Sequence, residues 1–488
     1  MSNFSIQKGG TMPFYLGGKA MKPNSGLKVI NKYTQEEFCT VPLADESHVE
    51  EATAIAATEG AKKMKALPPY VRQEILMNVA AEATKRRDEF AYYLAIEAGK
   101  PIADSRGEAD RLIQTFQLAA EEATRIGGEY SSLEIAPRAK GYSSITKRVP
   151  IGPVSLISPF NFPLNLAAHK IAPAIAAGCP FVLKPASMTP LGALLLGEIL
   201  AADPQMPPEG FSILPCSRQA GNILTTDERY KLMSFTGSPE VGFALKAKAG
   251  KKPVILELGG NAFCLIDDDD VGMATIVEEV VHGAFYQSGQ SCISIQRLLV
   301  NDGIYDQFKA ALVEKVKSLK MGDPMNEDTF IGPLINSGAA DKVESWVKEA
   351  VDKGGNLLCG GVRSERNFVS PAVVENVPHD TDLARDEVFG PVVCLERYTD
   401  FKEAVELVNA SKFGLQAGVY TNNWNKAHYA FDNIECGGVC INSVPSVRID
   451  SQPYGGVKDS GIGREGPKFA IEDYTEIRVM VMKNAGKL

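Results

Sequence analysis

The chain has 488 residues, 44% of them apolar and 23% charged, the balance of a large globular protein of two or three domains. Its net charge of −9 argues against a general nucleic-acid or membrane-surface binder, although an acidic protein can carry a locally basic site for a small anion. The nine cysteines are scattered and odd in number, which points to free thiols in a reducing, cytoplasmic setting; Cys436 and Cys440 lie close together without a nearby histidine, so no metal site is expected.

In chain order, the opening Met-Ser-Asn-Phe-Ser-Ile-Gln-Lys lacks the charged-then-apolar pattern of a secretory signal. Short β-like pieces follow. Residues 46–66 and 69–99 read as Ala-rich helices, and 105–126 as another, with Leu112, Phe116, Ala119, Ala120 and Ala123 on one stripe and Gly127-Gly128 as its stop. Residues 141–149 alternate like an exposed strand. Short apolar runs then appear at 154–158, 181–184, 211–214, 232–235 and 254–258, separated by helical stretches at 164–177, 191–201, 220–224 and 239–249. That alternation predicts a parallel sheet covered on both faces, with ligands bound beyond the carboxyl ends of its strands. No apolar run is long enough for a membrane helix; the run at 171–183 is broken by Pro173, Gly178 and Pro180.

A second α/β region starts near Asn261. A helix over 274–286 leads to Gly289-Gln290-Ser291-Cys292 and a strand at 294–300, followed by helices at 305–319 and 338–353 and strands at 392–397, 417–420 and 438–442. The tail, 474–482, alternates apolar and charged residues; a strand of that kind needs an edge to pair with, and a partner subunit is one such edge.

Several residues could carry chemistry. Cys292, on a loop between a helix and a strand, is either a core thiol or a positioned nucleophile. Glu257 ends an apolar strand in Leu256-Glu257-Leu258-Gly259-Gly260-Asn261; it is either a salt-bridged strand end or, with burial raising its pKa, a general base. Asn161, in Pro159-Phe160-Asn161-Phe162-Pro163, makes an Asx-turn or donates to a developing oxyanion. Lys184 ends the second strand, where it can meet ribose hydroxyls or a phosphate. Gly237 and Ser238 open a helix whose free amides suit a pyrophosphate, while Ser238 also reads as an ordinary cap. The stretch from Gly461 to Gly466 matches G-x-G-x-x-G but has no preceding strand or βαβ unit, so it reads as a tight turn.

Taken together and in this order, these blocks, with Lys184-Pro185-Ala186, Phe235-Thr236-Gly237-Ser238 and Glu387-Val388-Phe389-Gly390-Pro391, resemble the aldehyde dehydrogenase superfamily over essentially the whole chain. The resemblance implies an α/β fold with a Rossmann-like coenzyme domain (1–127 and 148–258), a catalytic domain (259–456) and a small β oligomerisation arm (128–147 and 471–488), assembled as dimers or tetramers. It implies that Cys292 attacks the aldehyde and forms a thioester, that the Asn161 amide and the Cys292 backbone amide hold the oxyanion, and that Glu257 activates the hydrolytic water. Lys184 would hold the adenosine ribose, Glu387 the nicotinamide ribose, and Phe389 would pack near the nicotinamide. Glu257 favours hydrolysis over transfer to coenzyme A, and the presence of all these groups disfavours a silent structural relative.

Two departures bear on the coenzyme. Ser187 stands where many NAD-preferring members have a glutamate that repels a 2′-phosphate, and Arg218 stands where a Gly-rich turn is usual and can pair with a phosphate. NADP is therefore expected in preference to NAD. Within the superfamily the chain is similar to the family 21 enzymes of mosses and other early land plants, associated with NADP-dependent oxidation of succinic semialdehyde. Arg111 and Arg448 are the expected clamp for a substrate carboxylate, with Phe162 also at the substrate. Lactaldehyde and sulfolactaldehyde are the alternatives. Phosphonoacetaldehyde is weakened because Phe162 and Ser291 replace the His and Arg of that group.

Overall fold

The computed structural model describes residues 4–484. Met1–Asn3 of the opening segment and residues 485–488 of the expected 471–488 arm lie outside the described residues. The expected apolar runs form five parallel strands, Val154–Ile157, Phe181–Lys184, Phe211–Ile213, Leu232–Thr236 and Val254–Glu257. They are the centre of an eight-stranded sheet in which the Val154 strand lies between the Phe181 and Leu232 strands. The chain winds one way from Val154 to Phe211 and the other way from Leu232 to Val254, so the strand order reverses at the Val154–Leu232 boundary. A crevice is expected at the carboxyl ends there. The Phe14–Leu16 and Lys19–Met21 hairpin closes one edge, and Gly461–Ile462 pairs antiparallel with Leu256 and Glu257 at the other. The G-x-G-x-x-G match is thus an edge turn and not a phosphate loop.

The second sheet has seven strands. Ile295–Asn301 and Ala262–Ile266 lie side by side at its centre, flanked by Val392–Tyr398 and Gln416–Tyr420. The sequence reading missed Ala262–Ile266, Asn356–Cys359 and Ala372–Glu375, and the helices Phe401–Asn409 and Trp424–Asn433. The two helices are short and depend on side-chain caps from Asp400 and Asn423. Elsewhere the expected 69–99 helix breaks at Arg86, whose guanidinium ties Glu89 and Glu198, and 46–66 contains a wide turn at Ala56–Gly60. The tail forms Thr475–Lys483, paired over nine residues with Tyr142–Pro150 of its own chain, which also pairs with Tyr130–Ser132. Ile477, Val479 and Val481 remain more than half exposed on this sheet. Among the described residues no helix is long and apolar enough to cross a membrane.

Two buried helices on the first sheet have no capping side chain of their own. Asn165–Ala177, buried along all 13 residues, starts after Leu164; Leu191–Ala202 starts after Pro190. A helix start buried without acceptors would strand several amides. Glutamates from preceding segments supply them. Glu108 Oε1 accepts from the backbone of Leu164 (2.8 Å) and Asn165 (3.1 Å), and Glu97 accepts from Leu191 (2.8 Å) and Gly192 (3.1 Å). Each carboxylate also faces the positive end of a helix dipole. Glu108 is fully buried and ion-paired with the fully buried Lys100. Lys100→Met should lower stability by about 3–5 kcal/mol, because it strands a buried carboxylate. Adding Glu108→Gln should recover part of that loss in urea unfolding; equal loss in both variants would show that the pair is not the cause.

Candidate active site

Only residues 258–261 separate the end of the first sheet, Glu257, from the first strand of the second, Ala262–Ile266. This crossing admits no side chains at its middle. A Cβ on Gly259 would sit 2.6 Å from the Glu387 carboxylate, and one on Gly260 would collide with the Cys292 carbonyl oxygen. The Gly260 amide donates to Glu387 Oε1 at 2.9 Å, and Ser460 Oγ donates to the Gly259 carbonyl at 2.7 Å. The crossing therefore brings Glu257, Cys292 and Glu387 together.

The turn before Cys292 is strained. Gln287 (φ 50°), Ser288 (φ 56°) and Gly289 (φ 70°) are all left-handed, a conformation that non-glycine residues adopt at some cost. Its surroundings hold it. The Gln287 amide N–H donates to Asp104 (2.9 Å), its side chain donates to the Asn161 carbonyl, Ser288 Oγ donates to the Gly332 carbonyl (2.8 Å), and Gln290 Oε1 accepts from Ile335 (3.0 Å). Asn161 Nδ2 donates to the Gln290 carbonyl at 3.1 Å, so the side-chain amide lies against the loop that carries Cys292 and keeps its second N–H. Phe162 is half-buried, with the Lys100 ammonium 4.0 Å from its ring centroid and the Tyr286 ring beside it.

Cys292 is half-buried, and its sulfur lies 3.4 Å from the Tyr454 hydroxyl. Burial pushes its thiol up to about 12, with Glu387 and Glu257 adding to the rise and Tyr454 and Arg448 opposing it. Glu257 is buried, and neither carboxylate oxygen has a hydrogen-bond partner. Burial, with Glu465 nearby, holds it well above the ordinary carboxylate range. Lys170 and Arg448 share Glu465: Lys170 Nζ is 3.0 Å and Arg448 Nη2 is 3.1 Å from its two oxygens. Burial alone would raise Glu465, but those two cations hold it down at about 2. A base with a raised pKa, an amide donor and a thiol on one side of the crossing can add to a carbonyl, hold the oxygen that becomes charged, and deprotonate water.

The crevice at the strand-order reversal is a cleft of about 460 Å³. Ile157, Ser158, Lys184, Arg218, Phe235 and Thr236 are among the residues that line it. The Lys184 stem passes close to Gly221, where a Cβ would lie 3.1 Å from Lys184 Cδ. Burial, with Arg218 close by, lowers Lys184 below its ordinary range. Among the described residues neither Lys184 nor Arg218 has a carboxylate partner. Ser187 lies in the turn after Lys184, one residue beyond the lining residue Ala186. At the helix start Gly237 is already committed: its amide donates to the Glu257 carbonyl at 3.1 Å. Ser238 Oγ accepts from Val241. Capping and sheet hydrogen bonding occupy two of the groups expected to meet a pyrophosphate. Glu387 is pushed up to about 7 by burial, against the Gly260 amide and Lys342. Phe389 (φ 52°) packs edge-on to Phe160, with ring centroids 5.7 Å apart.

Arg111 and Arg448 do lie near one carboxylate, but it is the chain's own Asp450. Arg111 binds it in bidentate fashion, Nε at 3.1 Å and Nη2 at 2.8 Å; Arg448 Nε stands 3.8 Å away and has no hydrogen-bond partner. His169 Nε2 (2.8 Å) and Asn165 Nδ2 (3.3 Å) also meet Asp450. The sequence reading missed Tyr454, Lys170, Glu465, Asp450 and His169. The signal for three of them was present: His169 and Lys170 are polar residues inside an otherwise apolar helix, and Glu465 lay within the discarded glycine motif.

Fold and site define an oxidoreductase that acts on aldehydes with NAD(P). The model for the aldehyde dehydrogenase family matches residues 20–480, and the chain belongs to that family. The solved structure of aldehyde dehydrogenase 21 from Physcomitrella patens, in complex with the reaction product succinate, is 50% identical with a TM-score of 0.97, covering 98% of this chain and 100% of that one. The 3-sulfolactaldehyde dehydrogenase of Priestia aryabhattai is 41% identical over 469 residues, 96% of this chain and 97% of its own. The lactaldehyde dehydrogenase of Methanococcus aeolicus is 41% identical over 461 residues, 93% of this chain and 97% of its own. The expected closeness to family 21 agrees with the first of these.

Gly260→Ala should reduce kcat/KM by about 100-fold or more, since a displacement on the order of 1 Å of the Cys292 backbone disrupts reacting geometry. Coenzyme affinity, measured by fluorescence titration, should change little. Undiminished kcat/KM would show that the close approach at Gly260 does not set the position of the thiol.

Proposed function

We propose that the chain is an NADP-preferring succinic semialdehyde dehydrogenase that works through a thioester on Cys292. The observation that carries the substrate class is Arg448. Its Nε is buried without an acceptor, and Arg111 beside it keeps Nη1 free of the Asp450 pair. An acid group on the substrate would supply the missing acceptor, and two planar guanidinium groups suit a carboxylate. The similarity to an enzyme crystallised with succinate supports the same reading.

In this mechanism the Cys292 sulfur attacks the aldehyde carbon. The Asn161 amide and the Cys292 backbone amide donate to the oxygen as it becomes charged. The coenzyme, when bound, supplies the two-electron acceptor. Glu257, whose raised pKa suits a base near neutrality and whose oxygens are unpartnered, then takes a proton from the water that hydrolyses the thioester. Residues 1–127 and 148–258 would serve coenzyme binding and 259–456 catalysis. Lys184 would hold the adenosine ribose, Ser187 and Arg218 would admit and hold the 2′-phosphate, Gly237 and Ser238 would form the neighbourhood of the pyrophosphate, Glu387 would hold the nicotinamide ribose, and Phe389 would pack near the nicotinamide. Phe162 would line the substrate passage. The exposed Ile477, Val479 and Val481 support a homo-oligomer, dimer or tetramer, built on the 128–147 and 471–488 arm, and the free cysteines fit a cytoplasmic setting.

Sulfolactaldehyde is the second reading, because a sulfonate would also satisfy Arg448 and a 41% identical relative carries that name. Lactaldehyde has no anionic end and would leave Arg448 Nε unpaired.

Two experiments test these assignments. With succinic semialdehyde, sulfolactaldehyde, lactaldehyde and butanal, each with both coenzymes, succinic semialdehyde with NADP should give the highest kcat/KM. Arg448→Ala should lower the ratio of kcat/KM for succinic semialdehyde to that for butanal by about 10–100-fold, the size of a hydrogen bond to a charged group. An unchanged ratio would remove the clamp, and a higher kcat/KM for another aldehyde would replace the substrate. Arg218→Ala should raise the KM for NADP by about 10–100-fold and leave that for NAD nearly unchanged. Equal effects on both coenzymes would overturn the 2′-phosphate assignment.

A further inference from the structure

The nucleophile proposed above has an unusual local setting. Among the described residues no histidine or lysine is hydrogen-bonded to the Cys292 sulfur; its one partner is the Tyr454 hydroxyl, at 3.4 Å. The carboxylates of Glu387 and Glu257 both oppose a negative charge on that sulfur, and Arg448 is the cation that favours one. Tyr454 is held firmly. It is 4% exposed, its backbone exchanges two hydrogen bonds with Glu465 (3.1 and 2.6 Å), and its ring packs with Ile293 and Leu415. The Arg448 guanidinium stacks on the ring, its central carbon 3.8 Å from the centroid.

We propose that Tyr454 is a further catalytic residue, whose hydroxyl donates the hydrogen bond that stabilises the anionic, nucleophilic form of the Cys292 sulfur relative to the thiol. In the neutral pair either group can be the donor. Once the thiol has released its proton to water, only the phenol has a hydrogen to give. The bond then becomes charge-assisted and stronger, so it favours the anion over the thiol. Arg448 over the ring face keeps the phenol in place and its positive charge close to the sulfur. Arg448 thereby sits between the substrate's acid end, in the reading above, and the reacting sulfur. This inference rests on Cys292 being the nucleophile.

The test is alkylation of the full-length protein by iodoacetamide across a pH series, with and without NADP, read on the Cys292 peptide by mass spectrometry so that the other thiols do not contribute. Tyr454→Phe keeps the ring and the Arg448 stack and removes only the hydroxyl. Alkylation at each pH below the midpoint, neutral pH included, should slow by about 10–100-fold, the equivalent of about 1–2 pH units in the thiol. The pH profile of kcat/KM should move with it, for succinic semialdehyde and butanal alike, while NADP affinity stays the same. A wild-type alkylation rate in Tyr454→Phe across the pH series would overturn the proposal. Cys292→Ala separates the two layers: retained turnover there would remove the nucleophile itself, whereas a dead Cys292→Ala together with an unshifted Tyr454→Phe would remove only the role of Tyr454.

Discussion

The site depends on one close approach. The chain leaves the first sheet at Glu257 and enters the second at Ala262 with so little room that Gly259 and Gly260 lie against Glu387 and the Cys292 backbone. Two large sheets are thereby fixed relative to each other at the point where their chemistry meets. Glu257 is the last residue of a parallel strand, where side chains point into a crevice. Cys292 comes from the loop that precedes the neighbouring strand of the other sheet. The left-handed turn at Gln287 and Ser288 is affordable because four hydrogen bonds from three other segments over-determine it.

Around that point the protein buries charge and compensates it from a distance along the chain. Glu108 and Glu97 stand in for the caps that Leu164 and Pro190 cannot provide, and Lys100 balances Glu108 while its ammonium sits on Phe162. The same pattern recurs nearer the site, where Lys170 and Arg448 balance Glu465 and leave Glu257 without a partner. A carboxylate satisfied by its own ion pair would be a poor base. The neighbouring pair takes up the cations, so Glu257 is neither neutralised by contact nor isolated from positive charge.

The sequence made the parallel sheet legible because continuous apolar runs alternate with helices, and each run fell on a strand to within about a residue or two, the usual scatter of element ends. Cys292, Glu257 and Asn161 were legible as chemical types, and their ordered blocks pointed to the family. What it did not show depends on distant partners. Tyr454 lies 162 positions from Cys292, and Asp450 lies 339 positions from Arg111. The apolar strand Ala262–Ile266 was hidden because it follows the Val254–Glu257 strand with no helix between them. Gly237 looked available for a phosphate because its tie to the Glu257 carbonyl appears only when the two strands are placed side by side.

The place of Asp450 bears on selectivity. A lone arginine at a half-open site would attract anions of many shapes. Arg111 is instead clamped at two of its nitrogens by Asp450, which His169 and Asn165 orient in turn, so the guanidinium is fixed in position and its charge largely balanced. A ligand then gains little from charge at Arg111 alone. It gains where its acid group also accepts from the Arg448 Nε–H, a buried donor that gives up no existing hydrogen bond to make this one. Leaving such a donor unpaired carries a penalty of about 1–3 kcal/mol. Under the proposed carboxylate clamp, an aldehyde with no acid end, or one too short to reach that donor, would leave the penalty in place, and this asymmetry would favour acid-bearing aldehydes of the right length over neutral ones.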